Sequence, residues 1–169
     1  GHERTAETRR HRRWPLTSDA TQSTAAALIP LQPGMFRVPD RLDASVRLLG
    51  ALCRRCGQQF FPWRVYCAAC TNGDLEQVEF AETGEVETFT IVRQQPPNSV
   101  MIPPYAIVRV RLDGGPSVQT VMATDDVDAV HIGARVRLAA RRVKEDEAGN
   151  TVVSFMARPL SQYKEVTHA

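Results

Sequence analysis

Two matched pairs, Cys53-Arg54-Arg55-Cys56 and Cys67-Ala68-Ala69-Cys70, account for all four cysteines of the chain. A Cys-x-x-Cys turn lets two thiolates face one metal, and two such turns supply the four soft ligands of a tetrahedral structural site, the zinc-ribbon pattern. Four protein ligands leave no open position, so such a metal holds structure and does not activate water. Disulfides are the rival use of the same residues. The sequence shows no signal peptide and no apolar run long enough to span a membrane, so it reads as cytoplasmic, where disulfides are rare. Gly57, directly after the first pair, suits a chain that turns tightly around a metal. A redox role would place one pair at a helix start and leave the second unexplained. One structural Zn2+ held by Cys53, Cys56, Cys67 and Cys70 is therefore expected.

Other chemistry is hard to find. There is no Gly-x-Ser-x-Gly, no His-Glu-x-x-His, no phosphate-cradling glycine loop and no spare cysteine to serve as nucleophile. His2 and His11 stand in a basic segment, His168 near the other end, and His131 at the close of a short helix, where it reads as a helix-end residue. Asp125, Asp126 and Asp128 read as helix-start charges and not as an acid/base pair. No catalytic residue is assigned.

The elements that must position the cysteines follow from composition and pattern. A chain of 169 residues, 43% hydrophobic and 24% charged, can bury one ordinary core and a small appended module. Its formal charge of +2 sits in residues 1–40, where six Arg stand against four acids, and residues 1–39 read as a basic tail or linker carrying Arg9, Arg10, His11, Arg12 and Arg13. Thr17 to Ile29 holds an alanine cluster behind Ser/Thr/Asp and predicts a short helix. Pro30, Pro33, Gly34 and Pro39 then break regular structure. Residues 40–83 form the cysteine module. Asp40 to Asp43 predicts the cap of another short helix with Leu42, Val46 and Leu49 on one side, and Leu48 to Leu52 a strand entering the first pair. Between the pairs, Gln58 to Tyr66 is too apolar to be left in water. Phe60 and Phe61 are expected to pack onto the next module, while Trp63 and Arg64 either pack or meet a partner.

From Gly84 the period becomes two. Strands are predicted at Gly84–Arg93, Tyr105–Asp113, Ser117–Ala123, Ala134–Lys144 and Thr151–Ala157, with a tight turn at Asp113-Gly114-Gly115. A single helical turn capped by Thr124 falls between the third and fourth. Five short strands in this order predict an OB-fold barrel over residues 84–160, followed by a C-terminal tail at 161–169. The fold class is thus mainly β: an N-terminal helical segment, a zinc ribbon and a five-stranded OB-fold barrel. Gln94 to Pro104 is a loop held extended by four prolines around the apolar tip Val100-Met101-Ile102, a shape suited to contact.

Arg47-Leu48-Leu49-Gly50-Ala51-Leu52-Cys53-Arg54-Arg55-Cys56-Gly57, then Phe61-Pro62-Trp63-Arg64 and Cys67-Ala68-Ala69-Cys70, resembles the ribbon half of a bacterial and archaeal family. Its members join a rubredoxin-like zinc ribbon to an OB-fold and were long known only as a domain of unknown function. Gly84 to Thr90, Pro103-Pro104-Tyr105 and Ile132 to Val136 resemble the second half, so the likeness covers roughly residues 45–160. Trp63 departs from it, since the family more often has a second proline there. The resemblance implies an accessory role in acyl-CoA metabolism. Members partner thiolase-like enzymes, as separate subunits or as domains fused to a hydratase-like domain, and some help bind the CoA thioester. It implies a non-catalytic subunit of a thiolase, acyltransferase or retro-aldolase complex, two copies flanking a thiolase-fold dimer, with steroid or other lipid degradation as the setting. Trp63, Arg64, Asn98, Val100, Met101, Ile102 and Tyr105 are the expected partner or acyl-CoA contacts.

The alternative is a single-stranded nucleic-acid binder, since ribbons and OB-folds both serve nucleic acids. Such a binder needs a positive groove and stacking aromatics. Residues 84–169 balance ten basic against ten acidic side chains and hold only Phe89, Tyr105, Phe155 and Tyr163 as aromatics, which argues against it.

Overall fold

The computed structural model of the chain describes residues 27–97, 99 and 101–162. Among these the protein is mainly β, with strands β1 (Leu28–Pro30), β2 (Leu49–Cys53), β3 (Gln59–Phe60), β4 (Leu75–Glu79), β5 (Thr83–Val92), β6 (Tyr105–Leu112), β7 (Ser117–Met122), β8 (Arg135–Glu145) and β9 (Thr151–Pro159). Two one-turn 3-10 helices lie at Val127–Ala129 and Leu160–Gln162. No helix among the described residues is long and apolar enough to cross a membrane.

Strands β5, β6, β7, β9 and β8 pair in that order, and β8 pairs back onto β5, closing a five-stranded barrel. Every pairing is antiparallel except β7 with β9. With a short helix between the third and fourth strands, this is an OB-fold, as the period-two pattern predicts. Alternation builds its core: in β6, Ala106, Val108, Val110 and Leu112 point inward while Arg109 and Arg111 stay wet. A bulge in β5 between Val86 and Thr88 leaves Glu87 unpaired in the ladder. This extra residue aims its carboxylate at Arg109, Arg111 and Ser117, a common use of a bulge.

The barrel ladder runs out in two places, and the chain ahead of β2 fills both. Strand β9 meets β7 only at its far end, through Met122 and Ala157. Its near end pairs in parallel with β1, Leu28 to Thr151 through Pro30 to Val153. Strand β8 meets β5 only through Arg135 to Arg137. Beyond that, Val46 donates to Leu138 O at 3.0 Å, Ala140 donates to Ala44 O at 2.9 Å, and Asp43 donates to Ala140 O at 3.1 Å.

These seams explain two corrections to the sequence reading. The predicted helix over Thr17 to Ile29 lies outside the described residues except at its end, where Leu28 and Ile29 are strand and not helix. The free edge of β9 offers backbone partners that an isolated short helix cannot match. The helix expected after Asp40 is likewise absent: its backbone groups are spent on β8, and Asp43 takes a left-handed φ of 64° that interrupts any helical turn. The small turn before β8 also starts later than expected, with Asp126 as the cap accepting from the Asp128 amide, while Thr124 bonds Asp126.

The cysteine-bearing part is a separate three-stranded sheet in the order β3-β2-β4. Its core joins that of the barrel: Phe36, Val46, Leu48 and Phe80 cluster with Val110, Leu112 and Leu138. Phe36 and Phe61 both meet Phe155 edge-on, with centroids 6.1 and 5.8 Å away. Phe61 therefore packs onto the barrel, and Phe60 lies half-buried under the Arg64 guanidinium. Gly50 marks the tightest point, where a Cβ would come within 2.3 Å of Phe60 O and 2.4 Å of the Phe80 ring.

Candidate metal centre and contact surface

The two Cys-x-x-Cys turns fold alike, residue for residue. The Cys53 amide donates to Gln58 O and the Gly57 amide to Cys53 O; in the second turn, the Cys67 amide donates to Asn72 O and the Thr71 amide to Cys67 O, all four at 2.9 Å. The residue four places after the leading cysteine has positive φ in both, 72° at Gly57 and 56° at Thr71. Glycine takes that conformation freely, whereas a β-branched residue there is an outlier. The shared turn is thus imposed on Thr71 by its surroundings.

This matched pair brings four sulfurs together. All four lie within 4.8 Å of one another, with Cys53 to Cys70 and Cys56 to Cys67 both at 3.6 Å. All are free thiols, far from the ~2.05 Å of a disulfide. Thiolates bonded at about 2.3 Å to one tetrahedral metal stand about 3.8 Å apart, close to what is seen here. The four cysteines can hold a metal ion such as zinc.

Their ionisation points the same way. Burial raises the Cys53 thiol, but the amides of Cys56 and Arg55 and the thiols of Cys56 and Cys70 outweigh it and bring it down to about 6. At Cys56, the Gln58 amide lowers the thiol, but desolvation and the thiols of Cys67, Cys70 and Cys53 carry it up to about 12. Sulfurs this close cannot all ionise against one another, and a dication removes the conflict. Asn72 adds an outer contact, its Nδ2 lying 3.9 Å from the Cys53 sulfur, the sort of partner that orients ligands.

Between the turns the chain makes an arm. Phe61 is pinned to Phe155 and Arg64 is stacked 4.4 Å from the Phe60 centroid, while Trp63, Val65 and Tyr66 are 43, 68 and 66% exposed. Arg64 therefore serves the arm from inside, and Trp63 faces out. The other expected contacts scatter. Ile102 is 86% exposed, Met101 is half-buried with its sulfur 3.3 Å from Arg141 Nη1, and Tyr105 is half-buried at the start of β6. Asn98 and Val100 lie outside the described residues. Sequence reasoning passed over Val65 and Tyr66 as contact residues, although both belong to the apolar run it flagged.

It also passed over a polar network on the barrel wall. Ser117 and Arg111, with Arg109, hold the Glu87 carboxyl below its usual range. Beside it, Arg135 and then Thr83 bring Asp113 down to about 2; Arg135 binds it through both terminal nitrogens, at 2.8 and 2.6 Å. The alternation of Arg109 and Arg111 in β6 was the available signal, but the bulge that delivers Glu87 had none.

A closed OB barrel with an attached four-thiol sheet defines the class of protein. Residues 77–141 match the family model described as ChsH2, C-terminal OB-fold domain. A DUF35 domain-containing scaffold protein of Methanothermobacter thermautotrophicus is 31% identical over 119 residues, covering 70% of this chain and 86% of that protein. Another, from Pyrococcus furiosus, is 31% identical over 115 residues, covering 68% of this chain and 84% of that one. The chain belongs to the DUF35 domain-containing family. The solved structure of the Ltp2-ChsH2(DUF35) aldolase is similar to it, with a TM-score of 0.54 and 26% identity, covering 67% of this chain and 84% of that one.

Proposed function

We propose that this protein is a non-catalytic accessory subunit of a thiolase-type complex, a thiolase, acyltransferase or retro-aldolase acting on acyl-CoA thioesters. The observation that carries the reading is the arm, three exposed apolar side chains, Trp63, Val65 and Tyr66, on a loop anchored from behind by Phe61 and Arg64. Rigid aromatic residues with buried supports are what high-affinity contacts are built from. Relatives named as scaffold proteins, and an aldolase structure named for Ltp2 and a DUF35 chain, support an enzyme partner.

In this reading one structural Zn2+ on Cys53, Cys56, Cys67 and Cys70 makes a rubredoxin-like ribbon of residues 40–83 and fixes the arm. The thiolase-fold partner supplies the nucleophile and the acid/base groups. Trp63 and Arg64, with Asn98, Val100, Met101, Ile102 and Tyr105 around the proline-rich loop, meet that partner or the CoA thioester it shares. Two copies flank a partner dimer in the cytoplasm, and a hydratase-like domain in the same polypeptide fits the role. Steroid or other lipid degradation supplies such thioesters.

Co-expression with a thiolase-fold protein tests this. A stable complex is expected, and Trp63→Ala or Tyr66→Ala should weaken it at least about tenfold with metal content unchanged, the usual effect of losing an aromatic anchor. A monomer indifferent to thiolase-fold partners and acyl-CoA alike sinks the proposal. An oligonucleotide affinity that falls steeply with salt would instead favour the nucleic-acid reading.

A further inference from the structure

We propose that Cys56 is the point at which peroxides and other thiol-reactive electrophiles attack the four-thiol centre, and that its oxidation to a disulfide with Cys67 expels the metal. The inference rests on the zinc reading above and adds a modification site to it.

The four sulfurs are not equally reachable. Cys53 and Cys67 are 0 and 2% exposed, Cys70 is intermediate, and Cys56 alone is exposed. Cys56 also opens on a cleft of about 540 Å3 between the first turn and the barrel, walled by Gly57, Phe61, Arg109, Arg111 and Ser117, and it is the sole cysteine lining that cleft. Its neighbour Gly57 offers no side chain to screen it. With a metal bound all four sulfurs are thiolates, so ionisation no longer distinguishes them; access and hydrogen bonding do. Cys53 also has the Asn72 amide nitrogen 3.9 Å from its sulfur. Arg109 and Arg111, 60 and 64% exposed in their side chains, share the single Glu87 carboxylate, so one positive charge is left over where an anionic reagent would enter.

The chemistry balances with peroxide as oxidant. The Cys56 thiolate attacks one peroxide oxygen, the O–O bond breaks, a sulfenic acid forms and hydroxide leaves. The Cys67 thiolate, 3.6 Å away, then attacks the Cys56 sulfur; the S–S bond forms as the S–O bond breaks, and the oxygen leaves as water after taking a proton. Two electrons pass from the two sulfurs to the peroxide. Cys53 and Cys70 remain, too few to keep a tetrahedral site closed.

The full chain, its metal content measured first, is treated with limiting hydrogen peroxide in the presence of a chromogenic chelator, then alkylated and mapped by mass spectrometry. The expected result is a Cys56–Cys67 disulfide formed first, with one metal released per disulfide. In a separate arm, iodoacetamide should modify Cys56 at least tenfold faster than the other three. Arg109→Gln with Arg111→Gln should slow a dianionic aromatic disulfide severalfold and leave a neutral maleimide unaffected. Cys53, Cys67 or Cys70 reacting first, four equal rates, no effect of the arginine changes, or metal release before Cys56 changes would overturn the proposal. A chain purified metal-free refutes the zinc reading and the release step with it, and the alkylation order then shows separately whether access to Cys56 was judged correctly.

Discussion

Strand β6 of the barrel buries Ala106, Val108, Val110 and Leu112, each at 1% exposure or less. In the cysteine sheet, β3 and β4 bury no residue at all, and β2 buries only Gly50, Ala51 and Cys53. Both regions are sheet, antiparallel but for the β7–β9 pair, yet one is held by the residues its own strands bury and the other draws its apolar burial chiefly from Leu48 and Phe80 at its border with the barrel. Small sheets of that kind need a staple. Four thiols able to hold a metal ion, and the packing of Phe61, Leu48 and Phe80 into the shared core, are what the cysteine sheet has to hold it, so a metal bound there would make its order conditional on pH, chelators and oxidants in a way the barrel's is not.

Stripping the metal should separate the two regions most sharply. Structural zinc contributes on the order of 10 kcal/mol to the folding of such modules. Hydrogen exchange after chelation should therefore show amides of 49–79 losing protection while those of β6 keep theirs; a uniform loss would mean the two fold as one unit. Next, Leu138→Ala should cost about 2–5 kcal/mol as a buried cavity, lowering the melting temperature while metal content at 25 °C stays the same. Phe61→Ala comes third: a half-buried ring on Phe155 should cost about 2 kcal/mol, below the ~3–5 of a fully buried one. Its signature is a ribbon that still binds metal but loses contact with the barrel, read as changed chemical shifts around Phe155.

The smallest effect concerns acid. Asp113 titrates near 2 in the folded protein, below the ~3.9 of a free aspartate, so its stabilisation is complete above about pH 4 and lost as pH falls toward 2. The pair with Arg135 is nearly half exposed, so solvent screening limits it to less than about 1 kcal/mol. Asp113→Asn should flatten the barrel's acid dependence in that window, measured by denaturant titration, and leave metal loss at low pH untouched because that depends on thiolate protonation.

The barrel was legible because alternation reports a half-buried strand directly: Val108, Val110 and Leu112 declare an inner face without any tertiary knowledge. The cysteine cluster was legible because ligand spacing is a local property. What sequence hid was tertiary competition. Leu28 and Ile29 follow an alanine run that favours helix, and only the unfilled edge of β9 makes them strand. Asp40 to Val46 carries a valid cap and apolar spacing, but β8 claims its backbone. β4, Leu75-Glu76-Gln77-Val78-Glu79, has little apolar signal because it buries so little. Of the contact candidates, Trp63 and Ile102 stand exposed as the apolar run and the loop tip implied, while Arg64 turns inward because Phe60 gives it a face to stack on.

The segment from β1 to Val46 also bears on solubility. Without it, Thr151 and Val153 of β9 and Leu138 and Ala140 of β8 would present unpaired backbone groups on two exposed edges, templates for strands from other molecules. The barrel is closed, but its closure is stitched at two points by chain that precedes the cysteine sheet. Proteolysis or truncation that removes residues 27–46 would leave every cysteine and the whole barrel sequence in place and still yield a protein prone to aggregate.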